Sequence, residues 1–299
     1  TAGAVTKKQY WRVCAEYFAK EDLALNKTSD VLMLGSNNCC TDEVTYGEKT
    51  KTITSAACGI SSWSLNSWLT NVSTTTDYSN PGGLNGFTYV DDNGETQFSI
   101  LKWVERFRNY TDDGVKLELG DERLGTWITT DNIDKVQCCT PTHLYINSTH
   151  NGGTIEEHMK IIQIAQQEIP GIKIIVGSPM PLLGSWNIDL YKDDWIFNGY
   201  EDGPNYSGQQ CGNRYKYLKH WTKTEREKTL ENYYYFPQNV ITPTIEAYEY
   251  NEIDVGFKKM KRITNQSMPK EHPGTYCHKI WGYELYALLK YIAGKEQNV

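Results

Sequence analysis

The sequence predicts an α/β protein, a three-layer α/β/α sandwich around a central, mainly parallel sheet. Three observations carry this. Short apolar runs, over 31–34, 143–147 and 172–176, stop at glycine or small polar residues. Strands buried on both faces, as parallel strands are, read this way. Amphipathic helical stretches alternate with the runs, and residues 142–178 spell strand, loop, helix, strand, a βαβ unit. Third, 299 residues, 39% hydrophobic and 22% charged, are ample for a sizeable core.

Taken in order, residues 7–25 form a helix with Trp11, Cys14, Phe18 and Leu23 as its apolar stripe. The buried strand 31–34 follows and ends at Gly35. A second short strand spans 51–58 and ends at Gly59. Residues 59–72 read as a loop entering a helix, with Ser61 or Ser62 as its cap. Thr, Ser, Asn, Gly and Asp crowd 74–96, which marks a long surface loop. Residues 98–107 form a helix with Ile100, Leu101, Val104 and Phe107 on one side, and 109–140 carry no assignable pattern. Strand 143–147 then leads through small polar residues to an amphipathic helix over 155–169, stopped by Pro170-Gly171, and to the strand 172–176. Residues 184–213 look like an insertion loop, 214–233 like a helix and 233–241 like a strand. The last helix, 279–293, spaces Trp281, Leu285, Leu288, Leu289 and Ile292 by 4, 3, 1 and 3. Two parts are expected, an N-terminal helix or linker over 1–28 and a main domain over 29–299.

Composition narrows the function. A net charge of −7 disfavours nucleic acid as a partner, because such binders carry a basic face. No apolar run approaches the roughly 20 residues that span a bilayer. Nothing at the start reads as a signal peptide. The chain begins at Thr1 without methionine, the pattern of a processed product or of one domain of a longer polypeptide. Cys14, Cys39, Cys40, Cys58, Cys138, Cys139, Cys211 and Cys277 include two adjacent pairs and no CxxC, so reduced, buried thiols are expected. Tyrosine (21) and tryptophan (9) outnumber phenylalanine (7), which fits sugar-facing or partner-facing surfaces and equally a large core whose rings reach water at their edges.

Four polar points fall beyond the carboxyl ends of the strands, where ligands collect in an open α/β sheet. Ser36 and Asn37 follow the first strand, Gly59 the second and Ser148 to Asn151 a middle one, while His272 precedes the last helix. A hydroxyl, a free backbone amide, an amide-type side chain and a late histidine are the parts of an acyl-transfer site. Serine attacks, histidine takes its proton, and amides hold the oxyanion. Each point also has a plainer reading. Ser36 and Asn37 can serve a turn, and His272 can cap a helix. His143, His150 and His158, spaced by 7 and 8, do not make a metal-ligand pattern, and no metal or cofactor is expected. The Trp63 and Trp68 pair is more often core than a sugar platform.

The order and spacing of these blocks resemble the SGNH (GDSL-like) hydrolase family over about residues 30–293. The pieces are VLMLGSN, CGISSWSLNSWL, LYINSTHNGG, KIIVGSPMP and HPGTYCHKIWGYELYALLKYI. The last, with the loop before the 98–107 helix, is similar to SGNH domains carried on bacteriophage tail and other virion proteins. The resemblance implies an SGNH/flavodoxin-like sandwich over 29–299, with insertion loops near 74–96 and 184–213.

It also locates the departures. The family's Gly-Asp-Ser block reads Gly35-Ser36-Asn37, so Asn37 stands at the nucleophile position and Ser36 at that of the aspartate. The Gly-x-Asn-Asp block reads Ser148-Thr149-His150-Asn151, with His150 at the oxyanion asparagine. Gly59 matches its block. His272-Pro273 match theirs, but Pro269 replaces the aspartate. Asparagine is no nucleophile for ester hydrolysis. The expectation is a virion protein, phage tail or capsid-associated, that is structural or binds a receptor or glycan and whose catalytic site is disabled. The alternative is an active carbohydrate esterase or deacetylase in which Ser36 and His272 form a dyad. A purely architectural role would leave the crevice filled by side chains. Expected partners are other virion proteins or a larger parent chain, a cell-surface glycan, and further copies of the chain in a homo-oligomer, with neither nucleic acid nor membrane insertion. The expected location is the virion, assembled in a reducing bacterial cytosol.

Overall fold

The computed structural model describes residues 9–27, 31, 33, 37–57, 65–70, 87–108, 111–112, 115–116, 140–147, 154–177, 206–238, 250–254, 256, 259–263 and 275–296. In chain order the elements are α1 (Tyr10–Leu25), β1 (Asn37–Tyr46), β2 (Lys49–Ala57), α2 (Leu65–Thr70), β3 (Thr88–Val90), β4 (Thr96–Phe98) and α3 (Ile100–Arg108). Then come β5 (Thr111–Asp112), β6 (Val115–Lys116), β7 (His143–Ile146), α4 (Ile155–Glu168), β8 (Lys173–Gly177), α5 (Tyr206–Glu227), β9 (Tyr233–Phe236), β10 (Tyr250–Asp254), β11 (Lys259–Ile263) and α6 (Thr275–Glu296). The chain is mixed α/β.

Its organising feature is a three-stranded parallel sheet in the order β7-β8-β9. Successive side chains of a strand point to opposite faces, and both faces here are apolar. Leu144, Ile146, Ile174, Val176, Tyr233 and Tyr235 face one core, where α2, α3, α4 and α5 supply Leu65, Trp103, Ile162 and Trp221 among others. Tyr145, Ile175, Tyr234 and Phe236 face a second core, built with Tyr10 and Cys14 of α1 and Trp281, Leu285 and Ile292 of α6. The strands therefore read as continuous apolar runs rather than as alternations, which is why 172–176 was legible as buried.

Local signals set the helix ends. Thr154 and Glu157 form a capping box at the start of α4: Glu157 N–H donates to Thr154 Oγ1 (3.1 Å) and Thr154 N–H to Glu157 Oε2 (2.7 Å). At the other end of α4, Glu168 Oε2 accepts from the backbone N–H of Ile100 (2.7 Å) and Leu101 (3.1 Å), capping α3 from outside. Pro237 follows β9 directly and ends it, because proline cannot donate to a ladder.

The β1–β2 hairpin differs from the expected start of the chain. Of the run expected as a buried strand, Met33 makes an isolated bridge, and Leu32 and Leu34 lie outside the described residues. The long strand here is β1, which pairs antiparallel with β2 from Asn37↔Ala57 to Tyr46↔Lys49. Gly47, at φ +62°, opens the two-residue turn, a conformation that glycine adopts freely. The hairpin lies on α1. Val44 and Ile53 pack on Ala15 and Ala19 with Met33 beside them, Arg12 pairs with Asp42 and Glu16, and buried Asp22 pairs with Lys51. α1 is thus held on one side by the hairpin and on the other by α6.

Other expectations shift in detail. The loop expected over 74–96 holds β3 and the turn into β4, closed by Asp91 Oδ1 accepting from Asn93 N–H (3.0 Å) and Glu95 N–H (2.9 Å). Its earlier part lies outside the described residues. The stretch 109–140 holds the short β5–β6 hairpin, and 250–263 holds β10–β11, whose register sets Glu252 opposite Lys261 and Asp254 opposite Lys259. Helix α5 begins at Tyr206, inside the expected 184–213 insertion. A helix anchored by Tyr217 and Trp221 extends backward over polar residues at little cost, since propagation adds one hydrogen bond per residue. No helix among the described residues is long and apolar enough to cross a membrane.

Candidate functional site

The carboxyl ends of β7, β8 and β9 converge on the face that carries α1 and α6. Strand parity selects the residues. Asn147 follows Tyr145 by two, Gly177 follows Ile175 by two, and Gln238 follows Phe236 by two, so all three side-chain positions share that face. Tyr10, the first residue of α1, stands over them. Asn147 Nδ2 donates to the Tyr10 hydroxyl at 3.3 Å. The Tyr10 and Tyr145 rings meet edge to face at 5.9 Å. The His278 ring of α6 stacks on Tyr10 at 6.0 Å, with Trp281 edge-on at 5.8 Å. The first turns of α6 therefore deliver side chains to the carboxyl edge.

The floor of this edge is closed. A β-carbon on Gly177 would lie 2.6 Å from the Tyr145 hydroxyl, 2.7 Å from Gln238 Oε1 and 3.2 Å from Asn147 Cγ. Glycine is needed there for space. Gln238 is fully buried, whereas Asn147 is exposed, so polar groups run from a wet rim to a packed floor.

Burial decides the protonation of the phenols. It pushes the Tyr10 hydroxyl above its ordinary value, against the lowering effect of hydrogen bonds to Asn147 and Tyr145. Tyr145 is raised well above its ordinary value by burial and then by the neighbouring Tyr10. Both stay neutral hydroxyls at any ordinary pH. The described cluster holds phenols, carboxamides and the stacked His278, and no serine, threonine or cysteine. It can orient and hydrogen-bond a polar partner at its rim.

The predicted site residues distribute unevenly. Asn37 opens β1 opposite Ala57, at the start of an antiparallel strand that bulges between Asn37 and Cys40. Ser36, Gly59, His150, Asn151 and His272 lie outside the described residues, as do the proposed caps Ser61 and Ser62 and the Trp63 of the Trp63–Trp68 pair. Three of these residues are near described parts of the edge in the sequence. His150 and Asn151 come after Asn147, and His272 precedes Thr275, the first residue of α6.

Sequence reading missed Tyr10, Tyr145, Gln238 and His278. One signal for Tyr145 and Gln238 was available: polar atoms at every second position leading out of a buried strand must share one face beyond its carboxyl end. Comparison with family models, with curated proteins and with solved structures returns no match.

Proposed function

We propose that the chain is a degenerate SGNH-hydrolase-like domain, a three-layer α/β/α sandwich, that serves a virion as a structural or receptor- and glycan-binding part rather than as an esterase. The observation that carries the non-enzymatic reading is the packed floor at Gly177. An acyl-transfer site needs an open floor where a substrate carbonyl meets a nucleophile and oxyanion donors. Tyr145 and Gln238 fill the space beside Gly177 at the carboxyl end of β8. Helices over both faces of the parallel sheet support the sandwich reading. The virion assignment leans on the resemblance of the sequence blocks alone. Asn37, at the position that the resemblance gives the nucleophile, points the same way as the closed floor, and exposed Asn147 at the rim offers a carboxamide to a glycan.

The experiment is hydrolysis of p-nitrophenyl acetate and of acetylated sugars by the purified chain and by Ser36→Ala. The expected result is turnover at the uncatalysed background for both. An intact triad and oxyanion hole exceed that background by about six orders of magnitude or more. Turnover well above background that falls in Ser36→Ala would overturn the reading in favour of a Ser36–His272 esterase.

A further inference from the structure

His158 is a buried ionisable group on the face of the sheet opposite α1 and α6. It sits in the first turn of α4 with none of its surface exposed. Its Nδ1 lies 3.0 Å from the Thr154 carbonyl oxygen. A carbonyl can only accept, so Nδ1 carries the proton and donates, and Nε2 keeps a bare lone pair. That Nε2 is buried and meets no hydrogen-bond partner among the described residues. Trp221 and Tyr217, both of α5, flank the ring at 5.3 and 5.6 Å. The neutral ring fits as an apolar wedge between α4 and α5. A second proton would put a charge and an N–H donor into a place where Nε2 meets no acceptor among the described residues.

The surrounding charges do not relieve this. From α4, Glu157 is engaged in the capping box, and Glu156 is exposed and interacts with His220. From α5, Tyr217 is held neutral by burial, with its value pushed up to about 12. His220 lies close enough to oppose a charge on His158, with Lys223 beyond it. From β9, burial keeps Tyr233 neutral. Burial pushes the His158 imidazole from its ordinary 6.5 down to about 4, against the raising effect of the Thr154 carbonyl.

We propose that His158 is an acid-sensitive latch: while neutral it holds α5 against α4 and the sheet, and its protonation releases α5. The unfolded or released chain takes up the proton at a higher pH than the packed one. The latch is therefore at full strength above about pH 6.5, weakens as the pH falls, and is lost as the pH passes through about 4. Release would uncover the apolar sheet face under α5, while the core that α1 and α6 build lies on the other face.

The test uses the full chain labelled with 5-fluorotryptophan, with the Trp221 resonance assigned by its absence in Trp221→Phe. Between pH 6.5 and 4 that resonance is expected to move to the position of a solvent-exposed indole, while the Trp281 resonance, from the other core, stays in place. In His158→Met the Trp221 transition is expected to disappear or to fall by at least one pH unit. An unchanged midpoint in His158→Met, or a Trp221 signal that stays fixed to pH 4, overturns the latch. If His158→Met does not fold, the ring-proton titration of His158 in the native chain decides. A midpoint well below 6.5 supports the latch, and one at 6.5 or above overturns it.

Discussion

Arg12→Ala is expected to destabilise the fold by about 3 to 5 kcal/mol, the usual cost of breaking a buried ion pair from one side. Arg12 is buried in α1 where the β1–β2 hairpin crosses it. Its guanidinium pairs with Asp42 of β1 and with Glu16 one turn along the helix, and the Arg12 and Asp42 side chains keep only 6% and 12% of their surface. Truncation removes the Arg12 charge from beside the Asp42 carboxylate in a nearly dry interface. The pair itself is a different matter, because desolvation of both ions offsets much of their attraction. Arg12→Met combined with Asp42→Leu should therefore recover most of the loss. Urea unfolding of the two single variants and the double reads both effects, and an additive double variant would refute the pairing.

Gly282→Ala is expected to cost about 2 kcal/mol or more, although alanine is the better helix former by about 1 kcal/mol. Gly282 lies in α6 where it crosses α1. A β-carbon there would sit 2.5 Å from Val13 Cβ, 2.6 Å from Val13 Cγ1 and 2.7 Å from the Tyr10 carbonyl oxygen. Two of these atoms are fixed to the α1 backbone, so no rotamer change relieves the contact and the helices must part. That separation would disturb Phe18 against Tyr286 and the bonds by which Tyr286 and Lys290 donate to Glu21. Gly294, in the same helix, has nothing within 4 Å of its would-be β-carbon. Gly294→Ala should therefore stabilise by up to about 1 kcal/mol. Opposite signs for two Gly→Ala changes in one helix, read as shifts in the urea midpoint, separate packing from propensity.

The parts of this fold that were legible in the sequence are those whose pattern carries its own burial. The run 172–176 and the helix 155–169 declare themselves because one is apolar apart from Lys173 and the other repeats at helical spacing up to the Pro170-Gly171 stop. The last helix is equally plain from Trp281 to Ile292. The hairpin of β1 and β2 was half missed because its strands are rich in threonine and, among the described residues, bury only Val44 and Ile53 inward. The signal was Gly47-Glu48 between two stretches of β-branched residues. The site was less legible than the fold. Pattern reading looks for a nucleophile on a turn, and the residues that close the carboxyl edge are a tyrosine, a glutamine and a glycine whose roles depend on three strands and a helix meeting. Tyr10 reaches Asn147 across 137 positions, which no local pattern encodes.

Filling of the carboxyl edge of β8 by the chain's own side chains is read most directly by a double-mutant cycle at Gly177 and Tyr145. Gly177→Ala alone should cost about 1 to 3 kcal/mol, as overpacking does. Tyr145→Phe removes the hydroxyl oxygen nearest the new β-carbon and leaves the movable ends of Gln238 and, at 3.2 Å, Asn147 beside it. In that background, Gly177→Ala should cost at least about 1 kcal/mol less, a coupling well above the ~0.3–0.5 kcal/mol scatter of independent sites. Urea unfolding in which Gly177→Ala is harmless, or equally costly in both backgrounds, would mean that the edge is open and that the closed-floor account is wrong.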